Sequence, residues 1–255
     1  MSQILKNQVA IITGAGRGLG KAFASRFADE GAKLLLPDIS LERAEEVAKE
    51  ITAKGGEAVA MATDISDENA TKAMAEKVMK LYGRVDILLN NAAVYYGLMR
   101  KPWDSWATGD WDRIFKVNVI GTWLCCKAIA PLMIKQNRGK IINIGSGIMK
   151  SPGGVVLLPY ACSKAAIKTM TEMLARALGP SNINVNSIGP GYTATEASFQ
   201  AGDAEKFFER AIAAQSIRRR EEAEDLVGTA VFLASKDSDF ITGQIISVDG
   251  GNWMV

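Results

Sequence analysis

Short apolar segments and longer amphipathic segments alternate along the whole chain, and this alternation limits the possible folds more than any other feature. The short segments are rich in β-branched residues, leucine and alanine, which is typical of strands covered on both faces of a sheet. They span residues 8–13, 32–36, 57–63, 85–89, 140–144, 183–188 and 245–248. The sequence therefore predicts seven buried strands.

Amphipathic segments of helical periodicity lie between these strands. They span residues 18–30, 41–53, 67–82, 110–136, 160–178 and 221–234. Strands that alternate with helices indicate βαβ units and a parallel sheet. We therefore predict an α/β fold, a doubly wound, Rossmann-type domain with a seven-stranded parallel sheet and helices on both faces. Pro131 is expected to bend or shorten the fourth helix.

Nothing in the chain marks a domain boundary. Internal repeats, low-complexity tracts and Pro/Ser-rich linkers are lacking, and 255 residues with 48% apolar content are enough for one large core. We expect a single domain over residues 1–255. Two segments, 94–109 and 192–216, interrupt the alternation. Because long loops beyond the carboxyl ends of parallel strands hold ligands, we predict that these segments bind substrate.

The composition excludes several classes of function. The chain has no histidine, which rules out a Ser-His-Asp triad and histidine zinc sites. The three cysteines, Cys125, Cys126 and Cys162, lack metal-ligand spacing, and we expect no metal site. Thirty basic and 28 acidic residues give a net charge of +2, too small for a field that attracts nucleic acid or an anionic membrane.

The beginning of the sequence bears on localisation. It runs directly into the first predicted strand, without the basic region, apolar segment and cleavage site of a signal peptide. No uncharged apolar stretch reaches the about 18 residues of a membrane span. We expect a soluble, cytoplasmic protein with neither nucleic acid nor membrane as a partner.

A glycine-rich segment, TGAGRGLG at residues 13–20, joins the first strand to the first helix. Gly14, Gly18 and Gly20 would let the backbone approach a pyrophosphate, whose charge is favoured at a helix N-terminus. Such a run alone serves equally well as a tight turn. The dinucleotide interpretation gains support from the next strand.

Asp38 ends that second strand, about 20 residues beyond the glycines, where a carboxylate accepts hydrogen bonds from adenosine ribose hydroxyls. The same charge repels a ribose phosphate, which favours NAD over NADP. Arg17 is the opposing signal, because a guanidinium pairs well with phosphate. The next residues, Ile39 and Ser40, supply no second cation, so NAD is the cofactor we predict.

Tyr160 and Lys164 stand one helical turn apart, so their side chains project from the same helix face. A phenol titrates near pH 10, and a neighbouring cation favours its ionised form. This pair therefore suits acid/base catalysis. Taken alone, a tyrosine on an amphipathic helix is more often a packing residue.

Several further motifs follow in a fixed order. They are Asp64-Ile65, NNAA at residues 90–93, Asn118 within KVNVIG, Ser146 within INIGSG, Pro190-Gly191 and the closing ITGQIISVDGG. Together with the glycine segment and the Tyr-x-x-x-Lys pattern, they resemble the short-chain dehydrogenase/reductase family over essentially the whole chain. Gly145 and Ala93 depart from the family, which often has Ser and Gly there.

The resemblance implies a role for each matched residue. Tyr160 would exchange a proton with the substrate oxygen while hydride moves to or from a nicotinamide, and Lys164 would hold the nicotinamide ribose and lower the phenol pKa. Ser146 would bind the substrate oxygen, and Asn118 would position a water that links Lys164 to solvent. The implied cofactor-binding residues are Gly14, Arg17, Gly18, Leu19, Gly20, Asp38, Asp64, Ile65, Asn90, Asn91, Tyr160, Lys164, Pro190, Gly191 and Thr195. A homotetramer formed through helices 110–136 and 160–178 is also implied.

Substrate signals are weaker. The loop after Asn91 is rich in aromatic residues that fit either a pocket wall or a subunit contact: Tyr95, Tyr96, Trp103 and Trp106. Lys150 fits an anion contact or a plain surface position. Segment 192–216, with Phe199, Phe207 and Phe208, resembles the family's mobile substrate lid.

The leading hypothesis is therefore an NAD-dependent enzyme for a secondary alcohol or ketone with a cyclic, aromatic or acyl body. One alternative is a 3-oxoacyl thioester reductase that uses NADPH. Another is a catalytically silent NAD-binding partner or sensor.

Overall fold

Seven parallel strands form one sheet in a computed structural model of the protein, which describes residues 3–200 and 203–254. The strands are β1 (Val9–Ile12), β2 (Lys33–Asp38), β3 (Glu57–Ala62), β4 (Ile87–Asn90), β5 (Gly139–Ile144), β6 (Ile183–Pro190) and β9 (Ile245–Val248). Their spatial order is β3-β2-β1-β4-β5-β6-β9. The predicted seven-stranded parallel sheet is confirmed.

The direction of winding changes between β1 and β4. From β1 the chain winds outward through β2 to β3, and it then returns to place β4 on the other side of β1. Connections on either side of such a switch point diverge and leave a crevice beyond the carboxyl ends of the strands. The topology therefore places a ligand crevice beside the glycine-rich turn that follows β1.

Helices cover both faces of the sheet. They are α1 (Gly18–Asp29), α2 (Leu41–Ala53), α3 (Glu68–Tyr82), α4 (Thr108–Phe115), α5 (Thr122–Gln136), α6 (Leu158–Leu178), α7 (Glu196–Phe199), α8 (Ala204–Ala214) and α9 (Glu224–Ala234). On one face, Phe23 and Phe27 of α1 pack in a buried cluster with Leu226 of α9. On the other face, Met74 of α3 packs with Ile129 of α5. The two apolar layers confirm the doubly wound architecture.

The fourth predicted helix, 110–136, differs in detail. It begins at Thr108 and contains a π-helical segment, Lys116–Gly121, between α4 and α5. The helix continues through Pro131 to Gln136, and Pro131 is exposed to solvent. The expected shortening at Pro131 is therefore wrong, because the helix reaches its predicted end.

By length and apolar composition, the continuous helix Thr108–Gln136 is sufficient to cross a membrane. Half of the most apolar stretch of this helix is buried inside the fold, where Cys125 and Ile129 pack against β-strand residues. Core helices of folded domains have the same composition, and the packing accounts for the apolar content.

The two interrupting segments carry short elements of their own. Segment 94–109 contains a turn of 3₁₀ helix, Trp103–Ser105. Segment 192–216 contains α7 and α8, and its strand β7 (Thr193–Ala194) pairs with β8 (Glu221–Glu222). The last predicted helix therefore starts at Glu224 instead of residue 221. Residues 201 and 202 of this segment, like 1, 2 and 255 of the predicted domain, lie outside the described residues.

Close packing between α1 and the turn before it yields the first prediction. A Cβ at Gly20 would lie 2.0 Å from the Gly14 carbonyl oxygen, whereas a Cβ at Gly228 in α9 meets no atom within 4 Å. We expect Gly20→Ala to lower the free energy of unfolding by about 1–3 kcal/mol through overpacking. Gly228→Ala should raise it by about 0.5–1 kcal/mol, because alanine loses less backbone entropy in a helix.

Urea denaturation of both variants at one protein concentration measures these changes. Equal shifts of the two variants in the same direction would contradict the close-packing role of Gly20.

Candidate active site

A cleft of about 1060 Å³ opens beyond the carboxyl ends of the central strands. Most residues that the sequence assigned to the site line this cleft. They are Gly14, Arg17, Gly18, Leu19, Asp38, Asp64, Ile65, Asn91, Ser146, Tyr160, Lys164, Pro190, Gly191 and Thr195. Side chains from six separate strand ends therefore meet in one cavity.

Three predicted site residues do not line the cleft. The Asn90 amide is buried within the sheet and donates to Asn143 Oδ1 at 2.9 Å, so its side chain is directed away from the cleft and its predicted cofactor contact stays a prediction. Gly20 packs against Gly14 instead of facing the cavity. Asn118 lies below the cavity wall. These three residues support the site from behind.

Hydrogen bonds from the loop after β4 fix the shape of the glycine-rich turn. Thr13 Oγ1 accepts bonds from the backbone amides of Asn91 and Ala92 at 3.0 and 3.1 Å. In return, Asn91 Nδ2 donates to the carbonyl oxygens of Thr13 and Gly14, each at 3.0 Å. Gly14 has φ +65°, and a Cβ there would lie 2.8 Å from Ala92 Cα. Glycine is therefore required by both the backbone conformation and the close approach.

The N-terminus of α1 fits a bound pyrophosphate. No side chain caps its first amides, and its first turn contains no acidic residue. Gly18, at the helix start, has φ +52° and lines the cleft. Unpaired amides and the helix dipole together favour an anion at this position.

Asp38 lies at the adjoining end of the cleft and is almost fully buried. Its two oxygens accept bonds from the backbone amides of Gly16 and Ser40, each at 2.9 Å. A carboxylate has about four acceptor positions, so two remain for ribose hydroxyls. The glycine turn, the uncapped helix and this carboxylate therefore fit the parts of a dinucleotide.

Two guanidinium groups flank this end of the cleft. The Arg17 guanidinium carbon lies 3.1 Å from the centre of the Tyr96 ring. Arg43, on the first turn of α2, lines the cleft beside Asp38, and the sequence analysis missed it. Its position five residues after Asp38, at the start of a predicted helix, was the available signal.

Tyr160 lies in the first turn of α6, buried against the Tyr95 ring at 5.2 Å between centroids. Burial raises the pKa of Tyr160, the neighbouring Tyr95 raises it further, and the Ser146 hydroxyl partly opposes both effects. The 3₁₀ turns Gly147–Met149 and Pro152–Leu157 span the interval between Ser146 and Tyr160. With this connection, Ser146 and Tyr160 line the same cleft.

Lys164 is fixed by a short bond from its Nζ to the Ile144 carbonyl oxygen at 2.7 Å. Its ammonium nitrogen lies 5.6 Å from the centre of the Tyr160 ring, and burial lowers the pKa of Lys164 to about 8. The expectation that this lysine, together with an oxidised nicotinamide, lowers the phenol pKa stays a prediction for the cofactor-bound protein. Burial of the phenol dominates, and the lysine is held toward the end of β5.

Asn118 connects the loop after β4 to the catalytic helix. Its Oδ1 accepts from the Val94 amide at 2.7 Å, and its Nδ2 donates to Ser163 Oγ at 3.1 Å. Ser163 Oγ donates in turn to the Tyr160 carbonyl oxygen at 2.7 Å. The side chain of Asn118 is thus used as a structural brace. Its predicted role in positioning a water that links Lys164 to solvent stays a prediction.

The aromatic residues of the predicted substrate loops divide into two groups. Tyr95 and Tyr96 line the cleft, together with Tyr192 and Phe207 from segment 192–216. Four others do not line it: Trp103, Trp106, Phe199 and Phe208. Trp103 is 67% exposed, so a pocket role is wrong for it. Lys150 also lies outside the lining, 4.4 Å from the centre of the Trp253 ring.

Other residues of this end of the cleft were missed by the sequence analysis. They are Arg100, Tyr192, Arg210, Gln215 and Asn252. Arg100 lies in the predicted segment 94–109, Tyr192, Arg210 and Gln215 lie in the predicted segment 192–216, and Asn252 lies near the end of the chain, but the sequence analysis singled out none of them. No signal in the sequence identified them as neighbours.

Comparison with known proteins places the chain in a family. A family model described as enoyl-(acyl carrier protein) reductase matches residues 14–252. Galactitol 2-dehydrogenase of Agrobacterium fabrum is 40% identical over 260 residues, covering 98% of this chain and 99% of that protein. The 3-oxoacyl-[acyl-carrier-protein] reductase FabG of Thermotoga maritima is 36% identical, with 97% and 98% covered.

The fold is also similar to a solved structure of 7α-hydroxysteroid dehydrogenase complexed with NADH and 7-oxo glycochenodeoxycholic acid. The TM-score is 0.91 and the sequence identity 34%, and the match covers 98% of this chain and 96% of that one. The chain belongs to the short-chain dehydrogenase/reductase family. It is an oxidoreductase of alcohols or ketones, and its family uses nicotinamide cofactors.

A buried carboxylate lies beneath the loop that follows β6. Glu221 accepts bonds from Thr193 Oγ1 at 2.6 Å and from the Gly191 amide at 3.1 Å. The pKa of Glu221 is raised to about 7, mainly by burial; the two bonds act against this rise, and the charges of Asp249 and Asp225 add to it. This side chain joins the cleft residue Gly191 to the start of segment 192–216.

The raised pKa of Glu221 leads to a pH prediction. Its folded pKa of about 7 exceeds the ordinary value of 4.5, so the folded state retains a proton that the unfolded state loses. The stability from this group is present below pH 4.5 and is lost as the pH rises through about 7. In Glu221→Gln, the free energy of unfolding should therefore fall by about 2 kcal/mol less over this pH range than in the unaltered protein.

Urea midpoints between pH 4.5 and 8 test this expectation. The matched control is Glu222→Gln, which changes the exposed neighbouring carboxylate. A pH profile of Glu221→Gln that runs parallel to that of the unaltered protein would rule out the buried carboxyl as its cause.

Proposed function

We propose that this protein is an NAD-dependent dehydrogenase or ketoreductase for a secondary alcohol or its ketone. One observation carries the proposal. The Ser146 and Tyr160 hydroxyls and the Lys164 ammonium share a single cleft with the glycine-rich turn and Asp38. Groups that handle a substrate proton thus lie beside groups that fit a dinucleotide.

In this proposal, the Tyr160 hydroxyl exchanges a proton with the substrate oxygen, and Ser146 holds that oxygen by a hydrogen bond. A bound nicotinamide supplies the hydride chemistry and, when oxidised, a positive charge. The raised pKa of Tyr160 makes the phenol a weak acid. A positive charge next to the phenol would lower this pKa toward pH 7.

Lys164 contributes charge and position. With a pKa of about 8 it remains mostly protonated at pH 7, and its bond to Ile144 holds the ammonium at the floor of the cleft. There it would bind a ribose hydroxyl of the cofactor. Asn118 would keep α6 in register with the loop after β4 through Ser163.

The preference for NAD rests on Asp38. The negative charge of its carboxylate opposes a phosphate on the adenosine ribose, and its free acceptor positions suit the hydroxyls of NAD. Arg17 and Arg43 favour the opposite choice, although Arg17 is stacked on Tyr96. The 7α-hydroxysteroid dehydrogenase described above, which was solved with NADH, supports the nicotinamide class.

The substrate in this proposal has a cyclic, aromatic or acyl body. The supporting residues are the rings of Tyr95, Tyr192 and Phe207 along the cleft, with segments 94–109 and 192–216 as the substrate loops. The alternative is NADPH-dependent reduction of a 3-oxoacyl thioester, favoured by the similarity to the Thermotoga reductase and by Arg17 and Arg43. The presence of Ser146, Tyr160 and Lys164 in one cleft speaks against a catalytically silent sensor.

We further propose a single-domain, cytoplasmic homotetramer. Apolar side chains on the outer faces of the two long helices support the assembly: Ile120, Trp123, Ile134 and Met173 are each between 42% and 50% exposed. Burial of these side chains against a second copy would remove apolar area from water. Light scattering measures the assembly directly.

Turnover should depend on the Tyr160 hydroxyl. With NAD and a panel of secondary alcohols, we expect NADH to appear at 340 nm, and Tyr160→Phe should reduce kcat by about 10²- to 10⁴-fold, because the proton donor and acceptor is lost. The control is Tyr82→Phe, which removes a phenol that bonds the Leu34 carbonyl far from the cleft.

Fluorescence titration with NADH shows whether Tyr160→Phe still binds cofactor. Retained binding together with lost turnover is the expected pattern. Tight NAD binding by the unaltered protein, with no turnover on any alcohol or ketone, would favour the sensor.

Cofactor choice should depend on Asp38. We expect Asp38→Ala to reduce the ratio of kcat/KM for NAD to that for NADP by about 10- to 100-fold, because the repelling charge and the ribose contacts are both lost. Asp38→Asn serves as the matched variant, since its amide keeps an acceptor for the Gly16 backbone. If both variants discriminate as the unaltered protein does, Asp38 has no part in the choice.

A further inference from the structure

The charges that line the cleft are unevenly distributed. Two acidic residues line it at the proposed adenosine end: Asp38 is the last residue of β2, and Asp64 follows β3. At the opposite end, formed by segments 94–109 and 192–216, the charged lining residues are Arg100 and Arg210. The proposed substrate end therefore has positive charge and, among the described residues, no lining carboxylate.

Arg100 is held in a defined position. Its guanidinium carbon lies 3.5 Å from the centre of the Phe207 ring, and its Nη2 donates to the Tyr192 hydroxyl at 3.4 Å. Arg210 approaches the same ring, with its guanidinium carbon 5.8 Å from the Phe207 centroid. A guanidinium that stacks on a ring keeps the donors in its own plane available. Arginine has five N–H groups, and the bond to Tyr192 uses only one of those of Arg100.

Neither guanidinium is neutralised within the part of the chain that the structure describes. Ion pairs form elsewhere between arginines and carboxylates, as in Arg219 with Asp225 and Arg220 with Glu205. No carboxylate lies within 4 Å of Arg100 or Arg210 over residues 3–200 and 203–254. Arg100 is half-buried and Arg210 is exposed, so Arg100 in particular can form strong, charge-assisted hydrogen bonds with an anion that enters the cleft.

The position is within reach of the reacting centre. Arg100, Tyr95 and Tyr160 all line this one cleft, and the Tyr95 ring lies 5.2 Å from the Tyr160 ring. Tyr192, whose hydroxyl accepts a bond from Arg100, lines the same cleft. A substrate group bound by Arg100 would therefore share the cavity with the Tyr160 hydroxyl.

We propose that the substrate carries an anionic group, a carboxylate or a phosphate, which Arg100 binds and Arg210 attracts. This inference rests on the proposed function and narrows its substrate class to an acidic secondary alcohol or the corresponding oxo acid. Arg100 is then a specificity-determining residue. The rings of Tyr95 and Phe207 contact the body that links the anion to the carbinol carbon.

Matched substrate pairs test the inference. The probes are 3-hydroxybutyrate and 3-hydroxy-3-phenylpropanoate, the methyl ester of each, and the phosphate monoester of 1,3-butanediol carried on its primary hydroxyl. We expect kcat/KM to be about 10- to 100-fold higher for the acids than for their esters, as charge-assisted hydrogen bonds confer. A higher value for the monoester than for the acids would identify phosphate as the anion, and the reverse a carboxylate.

Variants assign the preference to Arg100. Arg100→Gln should raise KM for the acids by about 10- to 100-fold with little change in kcat, and it should leave the esters nearly unchanged. Arg100→Lys should restore part of the affinity, because it retains the charge without the planar fork. The control is Arg138→Gln. Arg138 is an exposed arginine directly before β5, at the amino ends of the strands and therefore away from the cleft.

The two proposals fail separately. Turnover of neutral alcohols with no preference for the acids, or equal losses on acid and ester in Arg100→Gln, would overturn the anion site and leave the oxidoreductase intact. If no alcohol is oxidised, calorimetric titration with 3-hydroxy-3-phenylpropanoate decides. Binding that Arg100→Gln abolishes and Arg138→Gln retains would support the anion site alone, and an absence of binding would overturn it.

Discussion

The site depends on the contact between the turn after β1 and the loop after β4. Asn91 donates to the carbonyls of Thr13 and Gly14, while Thr13 Oγ1 accepts from two amides of the β4 loop. These strands are neighbours because the chain reverses its direction of winding there. The reciprocal bonds hold the glycine turn open, so the amides of α1 remain directed into the crevice. The other functional groups are arranged around this fixed cradle.

Burial sets the chemistry of the catalytic groups. Tyr160 and Lys164 lie in the same low-dielectric floor, which raises the pKa of the phenol and lowers that of the ammonium to about 8. Both shifts disfavour the charged forms. The environment therefore prepares a neutral phenol whose ionisation responds strongly to any charge that a ligand brings. A helix-turn spacing identifies such a pair, but the direction of its pKa shifts depends on the surrounding atoms.

Much of this protein was predictable from local patterns. All seven strands and most helix positions follow from apolar periodicity, and most proposed site residues follow from motifs tied to strand ends, such as Gly14, Asp38 and Ser146. The errors have physical causes. Asn90 was predicted to follow a strand, but it is the last residue of β4, and its side chain is buried in the sheet, where it bonds Asn143. Glu221 was predicted to start a helix, but pairing of β8 with β7 draws it into a buried position.

The sequence by itself determined the doubly wound parallel sheet and the residues around its crevice, because strand burial, glycine conformation and the residue after each strand are local properties. Tertiary structure alone decided which distant groups meet at the substrate end. Arg100 belongs to segment 94–109, whereas Tyr192 and Phe207 belong to segment 192–216, so Arg100 contacts them only when the two loops fold over the same end of the strands. Their proximity depends on long-range packing, which leaves no periodic signal along the chain.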